Sequence, residues 1–149
     1  GWSLEQLTEL APAFADLGVA MIEQPLPRGG DSELEGRTWP IPLCADESCL
    51  DTSEFAQAAR RYQMINIKLD KTGGLTEALA LARLAKGNGI DLMVGNMLGT
   101  SLAMAPGFLI AQLCRYVDLD GPLYLERDRE PAMHCRNGVL SAPSAELWG

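Results

Sequence analysis

Positive charge is scarce in this chain. Twelve Lys and Arg stand against 20 Asp and Glu, for a net charge of -8 and a pI near 4.6. Nucleic acid and anionic membrane surfaces both call for a basic face, so neither is expected as a partner. No apolar run is long enough to span a bilayer, and no signal peptide is visible. The single histidine, His134, falls in an irregular tail and reads as a surface or packing residue. Cys44, Cys49, Cys114 and Cys135 show neither CxxC spacing nor a dense disulfide frame. They read as free thiols in a reducing cytoplasm rather than as bridges or a zinc site.

What the chain does have is a repeat. Short apolar runs close one after another on polar residues: Val19 to Ile22 on Glu23, Pro42 to Ala45 on Asp46, Ile65 to Ile67 on Lys68, Ile90 to Gly95 near Asn96, and Tyr116-Val117 on Asp118. Successive ends lie 22 to 28 residues apart, room for one strand, one helix and two short loops. A (β/α)8 barrel carries its functional groups on the C-terminal ends of its strands. Five such units in 149 residues fall short of a closed barrel of about 250 residues, so a partial barrel is expected.

Ser3 as N-cap with Gln6 three residues on opens a first helix through Leu4, Leu7, Leu10, Ala11 and Phe14. That opening carries no initiating Met, and a preceding portion of the protein is expected outside the sequence. Strands are expected at Val19 to Glu23, Leu43 to Asp46, Met64 to Lys68, Ile90 to Gly95 and Arg115 to Asp118. Helices are expected at Glu54 to Arg61, Leu75 to Lys86 and Leu102 to Cys114, the last starting after Pro106 or bending there. Thr72-Gly73-Gly74 reads as a turn, Ser32 to Leu34 as a helical turn, and Leu123 to Leu125 and Gly138 to Leu140 as short strands.

Alternation along the third strand puts Lys68 on one face with Asn66 and Asp70. Glu23 and Asp46, on consecutive strands, could share one cation. Hard oxygen ligands suit Mg2+, although the two carboxylates could equally pair with lysines. Beside a dication and partly out of water, the Lys68 ammonium is disfavoured, as a base near neutral pH requires. Such a pair suits proton abstraction next to a carboxylate, through an enediolate whose charge the cation holds. Asp118 and Asp120 suit a substrate ammonium group or, for one of them, an Asx-turn before Gly121-Pro122. Lys71 reads as solvated, and Glu126 to Glu130 as an exposed charged face.

Ile22-Glu23-Gln24-Pro25, Ala45-Asp46-Glu47-Ser48, Asn66 to Gly74 and Asp118-Leu119-Asp120-Gly121-Pro122, in this order and spacing, resemble the enolase superfamily. Within it they look like the muconate-lactonizing subgroup, and most closely the dipeptide epimerases. The resemblance implies an α/β fold that is the C-terminal part of a (β/α)8-type barrel, with the first strands and the capping domain outside the chain. Residues 1–122 would form the partial barrel, and residues 123–149 would return toward the capping region. It implies that Glu23 and Asp46 are two of three Mg2+ ligands, that Lys68 is one of two acid/base lysines, and that Asp118 and Asp120 bind a dipeptide ammonium. Glu47 and Asp70 would support these groups from behind, and the turn Met97 to Ser101 would line the pocket. The expected activity is cytoplasmic epimerisation of L-Ala-D-Glu and L-Ala-L-Glu, as in murein peptide recycling. The chain as given would lack half of that site and be inactive alone. A cycloisomerase, o-succinylbenzoate synthase or N-acylamino acid racemase of the same subgroup, and a non-catalytic half-barrel module, are the competing readings. Homo-oligomerisation is left open.

Overall fold

The structure is a computed structural model that describes residues 1–149. Its centre is a parallel five-stranded sheet, β1 (Ile22–Glu23), β2 (Leu43–Ala45), β3 (Met64–Ile67), β4 (Asp91–Val94) and β5 (Tyr116–Val117), in sequential order. Each parallel step needs a crossover, and the expected βα repeat supplies it. The strands are shorter than their apolar runs. The Val19 to Met21 lead-in, for example, stays outside the ladder, and Val19 is exposed.

The sheet has two unlike faces. Ile22, Leu43, Ala45, Ile65, Ile67, Leu92 and Val94 belong to the main core. They pack with α1 (Leu4–Asp16), α2 (Phe55–Ala58), α4 (Leu75–Gly87) and α5 (Ser101–Ala111). The helix α4 shows why, since Ala78, Leu81, Ala82 and Ala85 recur at helical spacing and are fully buried. Truncating Leu81 to Ala there costs about 2–5 kcal/mol. On the other face Cys44, Met64 and Met93 form a separate small cluster with Met21 and Tyr116. The next residues along that face, toward the strand ends, are Glu23, Asp46, Asn66, Gly95 and Asp118.

The expected capping box on α1 is present: Gln6 N–H donates to Ser3 Oγ at 3.2 Å, and Ser3 N–H to Gln6 Oε1 at 2.9 Å. Three expectations fail for local reasons. The chain leaves β3 at Lys68 directly into a short helix, α3 (Leu69–Thr72), which ends on left-handed Gly73. The alternation that would put Asp70 beside Lys68 therefore stops, and Asp70 is exposed. Of the two outcomes expected at Pro106, a delayed start is ruled out, since α5 runs through it from Ser101 to Ala111. The helix starts at Ser101 because the Asp128 carboxylate takes the Ser101 N–H at 2.9 Å, fixing an N-terminus that has no side-chain cap of its own. Leu123 to Leu125 is no strand: a 3-10 turn, Gly121–Tyr124, occupies it with Pro122 in its first turn. The tail instead forms the hairpin β6 (Cys135–Arg136) with β7 (Val139–Leu140), then α6 (Ala145–Trp148).

Candidate active site

Five strand ends converge on one rim. Glu23 closes β1, and its Oε1 accepts from Asn66 Nδ2 at 2.6 Å. Asp46 follows β2 and is buried. Lys68 follows β3, and its Nζ lies 2.7 Å from Asp46 Oδ2 and 3.7 Å from Glu23 Oε1. Gly95 follows β4 because nothing larger fits. A Cβ there would stand 2.8 Å from both Asn66 Nδ2 and Lys68 Cε.

Lys71 is not solvated as the sequence suggests. One turn after Lys68, on α3, its Nζ reaches Asp46 Oδ1 at 2.7 Å and Glu47 Oε1 at 3.3 Å. The i, i+3 spacing of Lys68 and Lys71 carries the signal for this, once α3 is allowed for. Asp46 thus sits between two ammonium groups. Burial pushes its carboxyl up, but the hydrogen bonds and charges of Lys68 and Lys71 outweigh that and hold it below the usual range. Burial likewise pushes the Lys68 ammonium toward deprotonation, as expected from the sequence. Without a dication, however, Asp46 and then Glu23 reverse the balance, and Lys68 lies above its ordinary value.

The far side of the rim has the opposite character. The Asp118 N–H closes the ladder on Val94 O at 2.9 Å, and Asn96 ties the following loop by donating to Asp118 O at 2.7 Å and accepting from Gly121 N–H at 3.1 Å. The Asp118 carboxyl is pushed up by burial and then by the neighbouring Asp120 carboxylate. No lysine or arginine pairs with either acid. This arrangement suits an external cation.

Two further residues expected at the pocket part company. Met97 is half exposed on the β4–α5 turn. Ser101 is fully buried, with its Oγ bonded to Asp128 and accepting the Met133 N–H at 2.9 Å. It packs the tail against α5 and has no free hydroxyl for a ligand. The Glu47 side chain is more than half exposed and pairs only with Lys71, while its carbonyl oxygen accepts from Arg28 Nη1. Of the thiols, Cys44 and Cys49 are buried, and burial pushes Cys49 up to about 12, so both are unreactive. His134 is exposed in the tail.

A polar cavity of about 410 Å³ opens beside Glu23, Asp46 and Glu47. A larger one of about 610 Å³ lies between α5, β5 and the hairpin and reaches only Asp118 and Asp120 of the rim. A cation fits between Glu23 and Asp46, because the Lys68 ammonium already occupies that position, and the Asn66 Oδ1 beside Glu23 is buried without a partner. Oxygen donors of this kind favour Mg2+. No set of three or more His, Cys, Asp or Glu converges on a metal position, so this chain offers two carboxylates and not a full ligand set.

Carboxylates and a lysine on the C-terminal strand ends are common to many barrel enzymes, so the architecture alone does not fix the family. The family model described as enolase C-terminal domain-like matches residues 1–146, and the chain belongs to that family. It is the C-terminal part of the (β/α)8-type barrel. Among its relatives, it is 50% identical over 148 residues to an N-acetyl-D-glutamate racemase from Pseudoalteromonas sp, covering 99% of this chain and 47% of that protein. It is also 50% identical over 139 residues to the L-Ala-D/L-Glu epimerase of Escherichia coli (strain K12), covering 93% and 43%. A crystal structure from Agrobacterium tumefaciens of an enolase family member with homology to dipeptide epimerases, with sodium and L-Ala-L-Glu bound, superposes with a TM-score of 0.96 at 46% identity. It covers 100% of this chain and 46% of that one. The chain therefore spans about half the length of the curated relatives it matches.

Proposed function

We propose that the protein containing this chain is a Mg2+-dependent dipeptide epimerase that interconverts L-Ala-D-Glu and L-Ala-L-Glu by 1,1-proton transfer. The observation that supports it most directly is the rim. The Lys68 ammonium lies 2.7 Å from Asp46 and 3.7 Å from Glu23, on the same rim as the unpaired acids Asp118 and Asp120. In this reading Glu23 and Asp46 hold Mg2+ with a third ligand from outside these residues. When bound, Mg2+ supplies positive charge for the substrate carboxylate.

Everything else is done by side chains. With Glu23 and Asp46 committed to a dication, Lys68 loses the two partners that support its ammonium, and burial then favours the neutral amine. The neutral amine takes the α-proton on one face of the substrate carbon and, in the reverse direction, returns it. A second base outside these residues serves the opposite face. Asp118 and Asp120 hold the dipeptide ammonium, and Met97 and the exposed Leu98 flank its side chain. Glu47 supports Lys71, and Lys71 supports Asp46. Asp70 and Ser101 have no such part. Residues 1–122 form the barrel portion, and residues 123–149 return toward the capping region. We assign the activity to cytoplasmic murein peptide recycling. The N-terminal half of the protein is the required partner for catalysis, and nothing at the rim calls for self-association.

The 50% identity to an N-acetyl-D-glutamate racemase supports a second reading, racemisation of an N-acylated glutamate. Such a substrate has no ammonium for Asp118 and Asp120 to hold. Proton NMR of the full-length protein in D2O with Mg2+ separates the two readings. The expected result is exchange of the glutamate α-proton of L-Ala-L-Glu together with appearance of L-Ala-D-Glu. Exchange with N-acetylglutamate alone replaces the first reading by the second, and exchange with neither removes both.

A further inference from the structure

Gln24, directly after Glu23, is one of only two non-glycine residues with positive φ, at 38°. A side chain with a Cβ occupies that region at a cost, and such strain persists where surrounding contacts over-determine it. The backbone stays in register nonetheless, since the Gln24 N–H donates to Cys44 O at 2.8 Å. What the turn achieves is to aim the amide at the loop that carries Asp46.

Gln24 Oε1 accepts the main-chain N–H of Asp46 at 2.9 Å and of Ser48 at 3.2 Å. Its Nε2, with two protons, has three acceptors in reach: Leu26 O at 2.8 Å, Ser48 Oγ at 2.8 Å and Tyr62 OH at 3.2 Å. The sense of the amide follows from its neighbours. Tyr62 gives its one proton to Asp31 Oδ2 at 2.9 Å, so its oxygen can only accept from Gln24. Asp31 is itself buried and fixed by Arg61 Nη1 at 3.0 Å. The Leu26 carbonyl and the Tyr62 oxygen can only accept, which leaves Oε1 to the two N–H groups after β2.

We infer that Gln24 is a positioning residue: its amide, oriented by Tyr62 and Asp31, fixes the main chain at Asp46 and so sets the Asp46 carboxylate in register with Glu23. This rests on the reading of Asp46 as a Mg2+ ligand. Without the clamp, the ammonium groups of Lys68 and Lys71 still attract the Asp46 carboxylate and Cys49 N–H still reaches Asp46 O, but the Asp46 N–H loses its tie to the strand that carries Glu23.

The test uses the full-length protein with Gln24→Ala and Gln24→Gly. The glycine variant relieves the backbone strain, which keeps the fold while the amide is lost. Two readouts are taken, Mn2+ affinity by water-proton relaxation and amide hydrogen exchange at Asp46 and Ser48. Both variants are expected to lose protection at those two amides and to weaken Mn2+ by about 10- to 100-fold, the usual effect of removing a support behind a metal ligand. Saturating Mg2+ should recover most of kcat. Gln24→Glu keeps an acceptor for both N–H groups and should recover part of the protection. Unchanged protection in both variants overturns the clamp. Lost protection with unchanged Mn2+ affinity overturns the positioning role. Absence of Mn2+ binding by the unaltered protein instead brings down the metal reading on which the inference rests, while hydrogen exchange still decides whether the clamp exists.

Discussion

The two sides of the rim handle charge in opposite ways. On the β1–β3 side, every carboxylate faces a cation or an amide donor: Glu23 meets Asn66 and Lys68, and Asp46 meets Lys68 and Lys71. On the β5 side, Asp118 and Asp120 face each other with no lysine or arginine between them. The first side is balanced within the chain, so a dication entering there displaces an existing ammonium interaction. The second holds uncompensated negative charge, raised in cost by partial burial, and gains most from a cation that arrives with the ligand. In the proposed function one side carries the proton chemistry and the other the recognition, and the two should then fail differently when altered.

Lys68 should give the largest difference. In the full-length protein, Lys68→Ala removes the group proposed to serve one face of the α-carbon and is expected to reduce kcat by roughly 10²–10⁴-fold. Solvent-derived deuterium should no longer enter the substrate through that face. Dipeptide binding through Asp118 and Asp120 should persist, so KM changes far less than kcat. Unaltered exchange in this variant would separate Lys68 from the chemistry.

Asp118→Asn and Asp120→Asn should show the reverse. Losing a hydrogen bond to a charged group costs about 1.5–3 kcal/mol, which appears as a rise in KM for L-Ala-L-Glu of roughly ten- to a hundred-fold, with kcat less affected. N-acetylglutamate, which has no ammonium, should be indifferent to either substitution. Equal losses for both compounds would mean that the pair supports the loop and does not bind an amine.

Much of this contrast was legible from residue order alone. The polar residues that end the five apolar runs do come to one rim, because a parallel sheet in sequential order leaves equivalent ends little freedom. Alternation also assigned Asn66 and Lys68 correctly to one face. The reading failed where the period changed. Beyond Lys68 the chain is helical and not extended, which exposes Asp70 and brings Lys71 to Asp46. It failed again where a partner is remote in sequence: neither Ser101 nor the charged run around Asp128 signals that the two bind each other across the α5 terminus. Gln24 lay within a recognised motif, but its left-handed backbone and the use of its amide cannot be read from composition.

Gly95→Ala sharpens the comparison from the packing side. The added methyl would lie 2.8 Å from Asn66 Nδ2 and Lys68 Cε, and overpacking of this kind costs about 1–3 kcal/mol. A lower urea midpoint with an unchanged m-value is expected. The displaced Lys68 should lower kcat, while dipeptide KM stays near its starting value. A variant with full stability and activity would show that the rim yields there.

Acid should distinguish the two sides with the smallest effect. The Asp128 carboxylate holds the α5 N-terminus through the Ser101 N–H and hydroxyl. Burial, the largest single influence, pushes its carboxyl up, but those bonds together with the Arg129 N–H outweigh it and hold the carboxyl below its ordinary value. A carboxyl depressed in the folded state contributes stability in full above its unfolded value of about 3.9 and loses it as pH falls through the folded value. The contribution of such a helix-end carboxylate is about 1 kcal/mol. Asp118 moves the other way: raised by burial and by Asp120, it takes up its proton at a pH above the ordinary carboxyl range. On acidification the recognition side should therefore lose its negative charge first, seen as a rising dipeptide KM with the fold intact. Amide exchange at Ser101 and Met133 should increase only at lower pH, and Asp128→Asn should bring that increase to neutral pH without raising KM by the mechanism that protonates Asp118. If both changes occur at one pH in the unaltered protein, the α5 terminus and the acid pair form a single unit, and the recognition side depends on the tail for its shape.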